Sequence, residues 1–187
     1  VHLNRQELTW LLAAFREGRI SEEAVVSRLQ PETSEPPVPA ERRADLLTML
    51  DQFRAAEESG AETLRRWALL TENSHLVGGL RAAAARESQH ALLLDERLRE
   101  LGGKPRAEIP GWLERLNARI SDPSTRDSER LSIIVGSLPD ADRIAGQVNE
   151  FTEAAGDPLT AELLRNICAD DLVTFRWFVN AHRMIGD

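Results

Sequence analysis

The chain has 187 residues, 42% of them hydrophobic, with a formal net charge of -8 and one cysteine. That length suffices for one domain with a sizeable core plus a modest appendage. An acidic balance without any Lys/Arg block excludes a nucleic-acid backbone as partner, and the lone Cys168 excludes an intrachain disulfide or a cysteine-built zinc site.

In chain order, residues 1–30 read as a helical hairpin. Leu8, Leu11, Leu12 and Phe15 form one apolar stripe, Gly18 can end it, and Ser21-Glu-Glu opens a second helix through Val25, Val26 and Leu29. Residues 31–40 form a proline-rich linker, since Pro31, Pro36, Pro37 and Pro39 withhold amide donors and favour extended backbone. Residues 41–187 then carry long helical patterns. The first runs from about Glu41 to Glu72, with Leu46, Leu50, Phe53, Glu57, Ala61, Leu64 and Ala68 on one side. Asn73 or Ser74 is a good N-cap for the second, which stops at Leu101-Gly102-Gly103. Residues 105–123 form a crossover with a helical turn around Trp112, Leu113 and Leu116. A third long pattern gathers Leu131, Ile134, Leu138, Ile144, Val148 and Phe151, and Pro139 within it predicts a kink or a break. The fourth runs from Leu159 to about Met184, with Leu163, Ile167, Asp171, Thr174, Phe178 and Ala181 on one stripe. No strand pattern is found. Two long hairpins joined by a long crossover describe an all-α fold, a four-helix bundle with one such connection.

The chemistry concentrates in Glu87-Ser88-Gln89-His90, which places a carboxylate and an imidazole one turn apart on the stripe of Leu76, Leu80, Ala83, Leu94 and Leu101. A charge on an apolar face needs an ion pair, a hydrogen bond or a metal. Counted outward from a turn near Glu72, Glu57 lies as far before it as Glu87 lies after it, which puts the two acids at one level of an antiparallel pair. Arg54, next to that level, offers Glu87 an ion pair in place of a metal. Cys168 reads as a small hydrophobe, and Trp67, Trp177 and Phe178 as core or dimer anchors.

The run Val77-Gly-Gly-Leu-Arg-Ala-Ala-Ala-Ala-Arg-Glu-Ser-Gln-His-Ala91 resembles the second bundle helix of rubrerythrin-like members of the ferritin-like superfamily. The run Leu163-Leu-Arg-Asn-Ile-Cys-Ala-Asp-Asp-Leu-Val-Thr-Phe-Arg-Trp-Phe178 is similar to their fourth. The resemblance covers residues 41–184 and implies a ferritin-like bundle, with the N-terminal hairpin as an addition. It also implies a di-metal site in which one Glu comes from each of two helices and a Glu-x-x-His from each of the other two. Carried over, Glu87 and His90 fill the first Glu-x-x-His, and Glu57 or Glu58 supplies the acid of the first helix. The fourth helix reads Asp171-Leu-Val-Thr174, with no imidazole, and the third brings Arg143 toward Asp171, with Asp140 and Asp142 about a turn away.

The expected metal set is therefore Glu57, Glu58, Glu87, His90 and Asp171, an incomplete di-iron carboxylate site. It suits at most one strongly held iron, manganese or zinc ion, or none. Such a protein is expected to serve iron or oxidative-stress handling, with no catalytic residue assigned. The alternative is a metal-free scaffold or interaction module. A cytoplasmic location, a homodimer, no membrane partner and a protein partner on the N-terminal hairpin complete the expectations.

Overall fold

A computed structural model describes residues 40–137 and 157–185, together with Phe15, Ser21 and Gly146. The chain divides into two units, Val1–Pro37 and Val38–Asp187. The expected hairpin and linker, and the stretch with Pro139, Asp140, Asp142 and Arg143, lie outside the described residues. Within the second unit the fold is all-α, and among the described residues there is no strand. The helices are α1 (Ala40–Leu70), α2 (Ser74–Glu100), α3 (Gly111–Ser121), α4 (Asp127–Ser137) and α5 (Pro158–Ile185). None of them is long and apolar enough to cross a membrane.

The α1–α2 hairpin follows from its ends. Asn73 caps α2, its side-chain oxygen accepting from His75 N at 3.0 Å. At the other end Gly102 adopts φ 77°, a conformation that favours glycine, so Gly102 N–H reaches Arg99 O and Gly103 N–H reaches Leu98 O, both at 2.8 Å. Arg43, near the start of α1, donates to Leu101 O, just past the end of α2, from Nε at 3.2 Å and Nη2 at 2.6 Å. The two helices thus run antiparallel along their full lengths.

Polar clamps tie the remaining elements to this hairpin. The crossover is pinned where Asp51 Oδ2 accepts from Arg106 N and Ala107 N, each at 2.7 Å. α3 is held to α1 by Asn117 Nδ2 donating to Ser59 Oγ at 2.7 Å. The buried Arg130 of α4 donates to Ile120 O, Asp122 O and Asp127 Oδ1 and lies over the Trp67 ring, while Trp67 Nε1 donates to Asp127 Oδ1. Asp157 immediately precedes α5, and its carboxylate accepts from Thr160 N and Thr160 Oγ1, while Arg97 Nη2 of α2 donates to both of its oxygens. α4 is described as far as Ser137, and the kink or break that the pattern predicts at Pro139 lies outside the described residues.

The core is split. One apolar cluster joins Leu64 and Trp67 of α1, Leu76, Leu80 and Ala83 of α2, Ile120, Leu131 and Ile134, and Phe178 and Ala181 of α5. The second joins Leu46 and Leu50 of α1, Leu94 and Leu98 of α2, and Leu164 and Ile167 of α5. On each of these three long helices one stretch lies between the two clusters: around Glu57 on α1, Glu87 to His90 on α2, and Asp171 to Thr174 on α5.

Candidate metal centre

His90 organises that intermediate layer. It sits on the buried face of α2, one turn before Leu94, and is only 2% exposed. Its Nδ1 faces Glu57 Oε2 of α1 at 3.2 Å and Asp171 Oδ1 of α5 at 3.5 Å. Its Nε2 faces Asp170 Oδ2 at 3.4 Å. Glu57, His90 and Asp171 each offer one donor atom, and the three atoms lie within 4.8 Å of one another. An imidazole and two carboxylates, brought together from three helices, form a donor set that could hold a metal ion.

Glu87 completes the layer, its carboxyl facing that of Glu57. Gly60 of α1 makes the space, since a Cβ there would stand 3.0 Å from Glu87 Oε2. Burial, then the charge and hydrogen bond of Glu57, then the charge of Asp171 push the Glu87 carboxyl up to about 10. Burial and the charge of Glu57 also push Asp171 up to about 7, against the pull of His90. For His90, burial disfavours the imidazolium, but the hydrogen bond and charge of Glu57, with Asp171 and Asp170, outweigh it and raise its pKa. Folding therefore raises the proton affinity of His90 and Asp171, and a cation would compete with those protons.

What neutralises these acids decides between the readings available from sequence. Among the described residues, the only ion-pair partner of Glu57, Asp170 or Asp171 is the His90 ring. Arg54 does not reach Glu87. Its Nε donates to Asp51 Oδ1 at 2.8 Å and its Nη1 to Glu58 Oε2 at 2.7 Å, because partners three and four residues away on its own helix are nearer than one across the interface. Arg86 donates to Thr174 Oγ1 at 3.2 Å and so joins α2 to α5. Arg143 lies outside the described residues.

Of the expected ligands, the structure gathers Glu57, His90 and Asp171, with Glu87 behind Glu57. Glu58 is turned away: its side chain is 72% exposed and bound to Arg54. On a helix, adjacent residues point about 100° apart, so only one of the two glutamates can face α2. Thr174, where the resemblance expects a second imidazole, is buried and supplies a hydroxyl to Arg86. The donors described thus fit one ion and not two.

Asp170 was not among the expected ligands; its side chain is 61% exposed, yet it meets the imidazole edge. With a cation on Nδ1, a carboxylate at Nε2 would accept the proton of the imidazole's other edge. The acidic doublet Asp170-Asp171 was the available signal: an imidazole has polar atoms on both edges, so two adjacent acids can serve one ring. Cys168, one turn before Asp171, packs with the second apolar cluster, and burial followed by the charges of Asp171 and Glu57 pushes its thiol up to about 11. It stays a protonated packing residue. Trp67 and Phe178 stack in the core with centroids 6.2 Å apart, and Trp177 meets Phe178 edge-on at 4.9 Å. The chain matches no protein-family model, no curated protein and no solved structure.

Proposed function

We propose that this chain holds one divalent transition-metal ion through Glu57, His90 and Asp171 on a ferritin-like, rubrerythrin-like bundle, and that it serves iron or oxidative-stress handling. The observation that carries the reading is the His90 Nδ1 edge, 3.2 Å from Glu57 and 3.5 Å from Asp171, in a layer where no described Lys or Arg pairs with either acid. The family likeness rests on the Glu87-x-x-His90 run and on the acid at 171.

Glu57, His90 and Asp171 would be the ligands, with Asp170 orienting the imidazole. Glu87, protonated behind Glu57, would hold that carboxylate in place by a hydrogen bond. Bound iron(II) or manganese(II) would supply coordination positions open to an oxygen ligand. The two apolar clusters keep bulk water from both sides of the layer.

One observation favours the metal-free scaffold: a protonated His90 can itself serve as counter-ion to Glu57. Metal content decides between them. Protein purified without chelator is expected to carry, or to take up stoichiometrically, one manganese, iron or zinc ion. His90→Ala and Asp171→Asn are expected to lose it while keeping a helical circular-dichroism spectrum. Equal metal content in wild type and in both variants overturns the proposal.

A further inference from the structure

Between α1 and α2, apart from the metal donors, lies a cleft of about 560 Å³. Its lining includes the small side chains Ala61, Ser88 and Ala91, and three guanidinium groups border it, Arg54, Arg65 and Arg99, together with Glu58 and Asp95. Two of these cations are matched by acids: Arg54 by Asp51 and Glu58, Arg99 by Asp95. Arg65 differs. Among the described residues no ion pair involves it, and its Nη2 donates to the hydroxyl of Ser88, whose own proton goes to Ala84 O.

We infer that this cleft binds a small oxyanion, a phosphoryl or carboxyl group of a compact molecule, held by Arg65 and Ser88 and completed by Arg54. A guanidinium presents planar paired donors that match such oxygens, and Arg65 uses one of its nitrogens on a neutral hydroxyl. Arg54 points into the same cleft from the other end of the stretch 54–65 and is occupied there by Glu58. Arg54 is buried, but that carboxylate is 72% exposed and solvated, so an incoming anion can take its place while Asp51 keeps Arg54 in position. Small residues at Ala61, Ser88 and Ala91 leave the volume for the anion.

The test is a titration of the whole protein with inorganic phosphate at constant ionic strength, followed by chemical-shift changes, with acetate as the carboxyl probe. Wild type is expected to saturate with at least one of the two. Arg65→Gln is expected to weaken binding about tenfold or more, and Glu58→Gln to tighten it, because one removes the donor and the other the competitor. Opposite signs at two exposed positions on one helix do not arise from a general loss of folding. Binding is expected to survive His90→Ala, which separates this cleft from the metal centre. Absence of saturation with either probe, undiminished binding in Arg65→Gln, weaker binding in Glu58→Gln, or loss in His90→Ala would each overturn the inference.

Discussion

The Glu87 carboxyl lies against the bare Cα of Gly60 on the neighbouring helix, so close that a methyl group there would stand 3.0 Å from Glu87 Oε2. A helical glycine normally costs up to about 1 kcal/mol relative to alanine. Here that cost secures room for the acid that backs Glu57. In Gly60→Ala the gain in helix propensity and the displacement of the carboxyl offset each other, and the free energy of urea unfolding is expected to stay within about 1 kcal/mol of wild type. Metal affinity is expected to fall severalfold, read by competition with a chromogenic chelator. An unchanged affinity would show that Glu87 plays no part in holding Glu57.

Stability of the metal-free protein is expected to decline as pH rises. Asp171 moves from an ordinary 3.8 to about 7 on folding and Glu87 from 4.5 to about 10, while His90 is raised above 6.5. In each case the folded state binds the proton more tightly than the unfolded state. The stability so gained is fully present below the unfolded pKa and is lost as pH climbs through the folded one. Asp51 and Asp157, whose carboxyls are lowered despite the opposing effect of burial, act in the other direction, only as pH falls below about 3.8. Denaturation of the chelator-treated protein across about pH 5 to 9 should show the decline. Saturating zinc or manganese should remove it, because the ion replaces the protons. A flat profile without metal would count against the burial of these acids.

Asp170→Ala is expected to lower metal affinity about 10- to 100-fold, since the metal-bound imidazole would lose the carboxylate that faces its Nε2. The nitrogen shifts of His90 in the zinc-loaded protein should show Nδ1 metal-bound and Nε2 protonated in wild type and a mixture in the variant. Asp170→Glu is expected to restore the wild-type pattern in part.

Gly79→Ala probes the packing of α5 on α2. A Cβ at position 79 would fall 1.9 Å from Trp177 Cζ2, so the indole must move. The expected destabilisation is roughly 1–3 kcal/mol, measured by urea unfolding. Combined with Trp177→Ala, the loss due to Gly79→Ala should largely vanish; additive losses would contradict the contact.

Helix placement was legible wherever local chemistry dictates it. Asn73 was readable as a cap and the Gly102-Gly103 pair as a stop, because each acts on the backbone immediately beside it. The level shared by Glu57 and Glu87 followed from counting residues out from a short connection. The stripe through Leu50, Glu57 and Ala61 also pointed to Glu57 over Glu58 as the inward acid. Two things depended on side-chain direction and were not readable: that Arg54 prefers its own helix, and that Asp170 reaches an edge of the ring. A repeat of 3.6 residues assigns faces, but the last few ångströms are decided by competing partners.

The polar layer also sets vertical alignment. Leucine against leucine tolerates sliding by a turn at modest cost, whereas moving α5 by one turn would carry Asp171 toward Leu50 and Leu94 or toward Leu64 and Leu80. A single polar position can fix the stagger of coiled helices in the same manner. A version of this chain with the layer rebuilt in leucine would be expected to melt higher yet to lose its unique helical offset, trading one ordered arrangement for several.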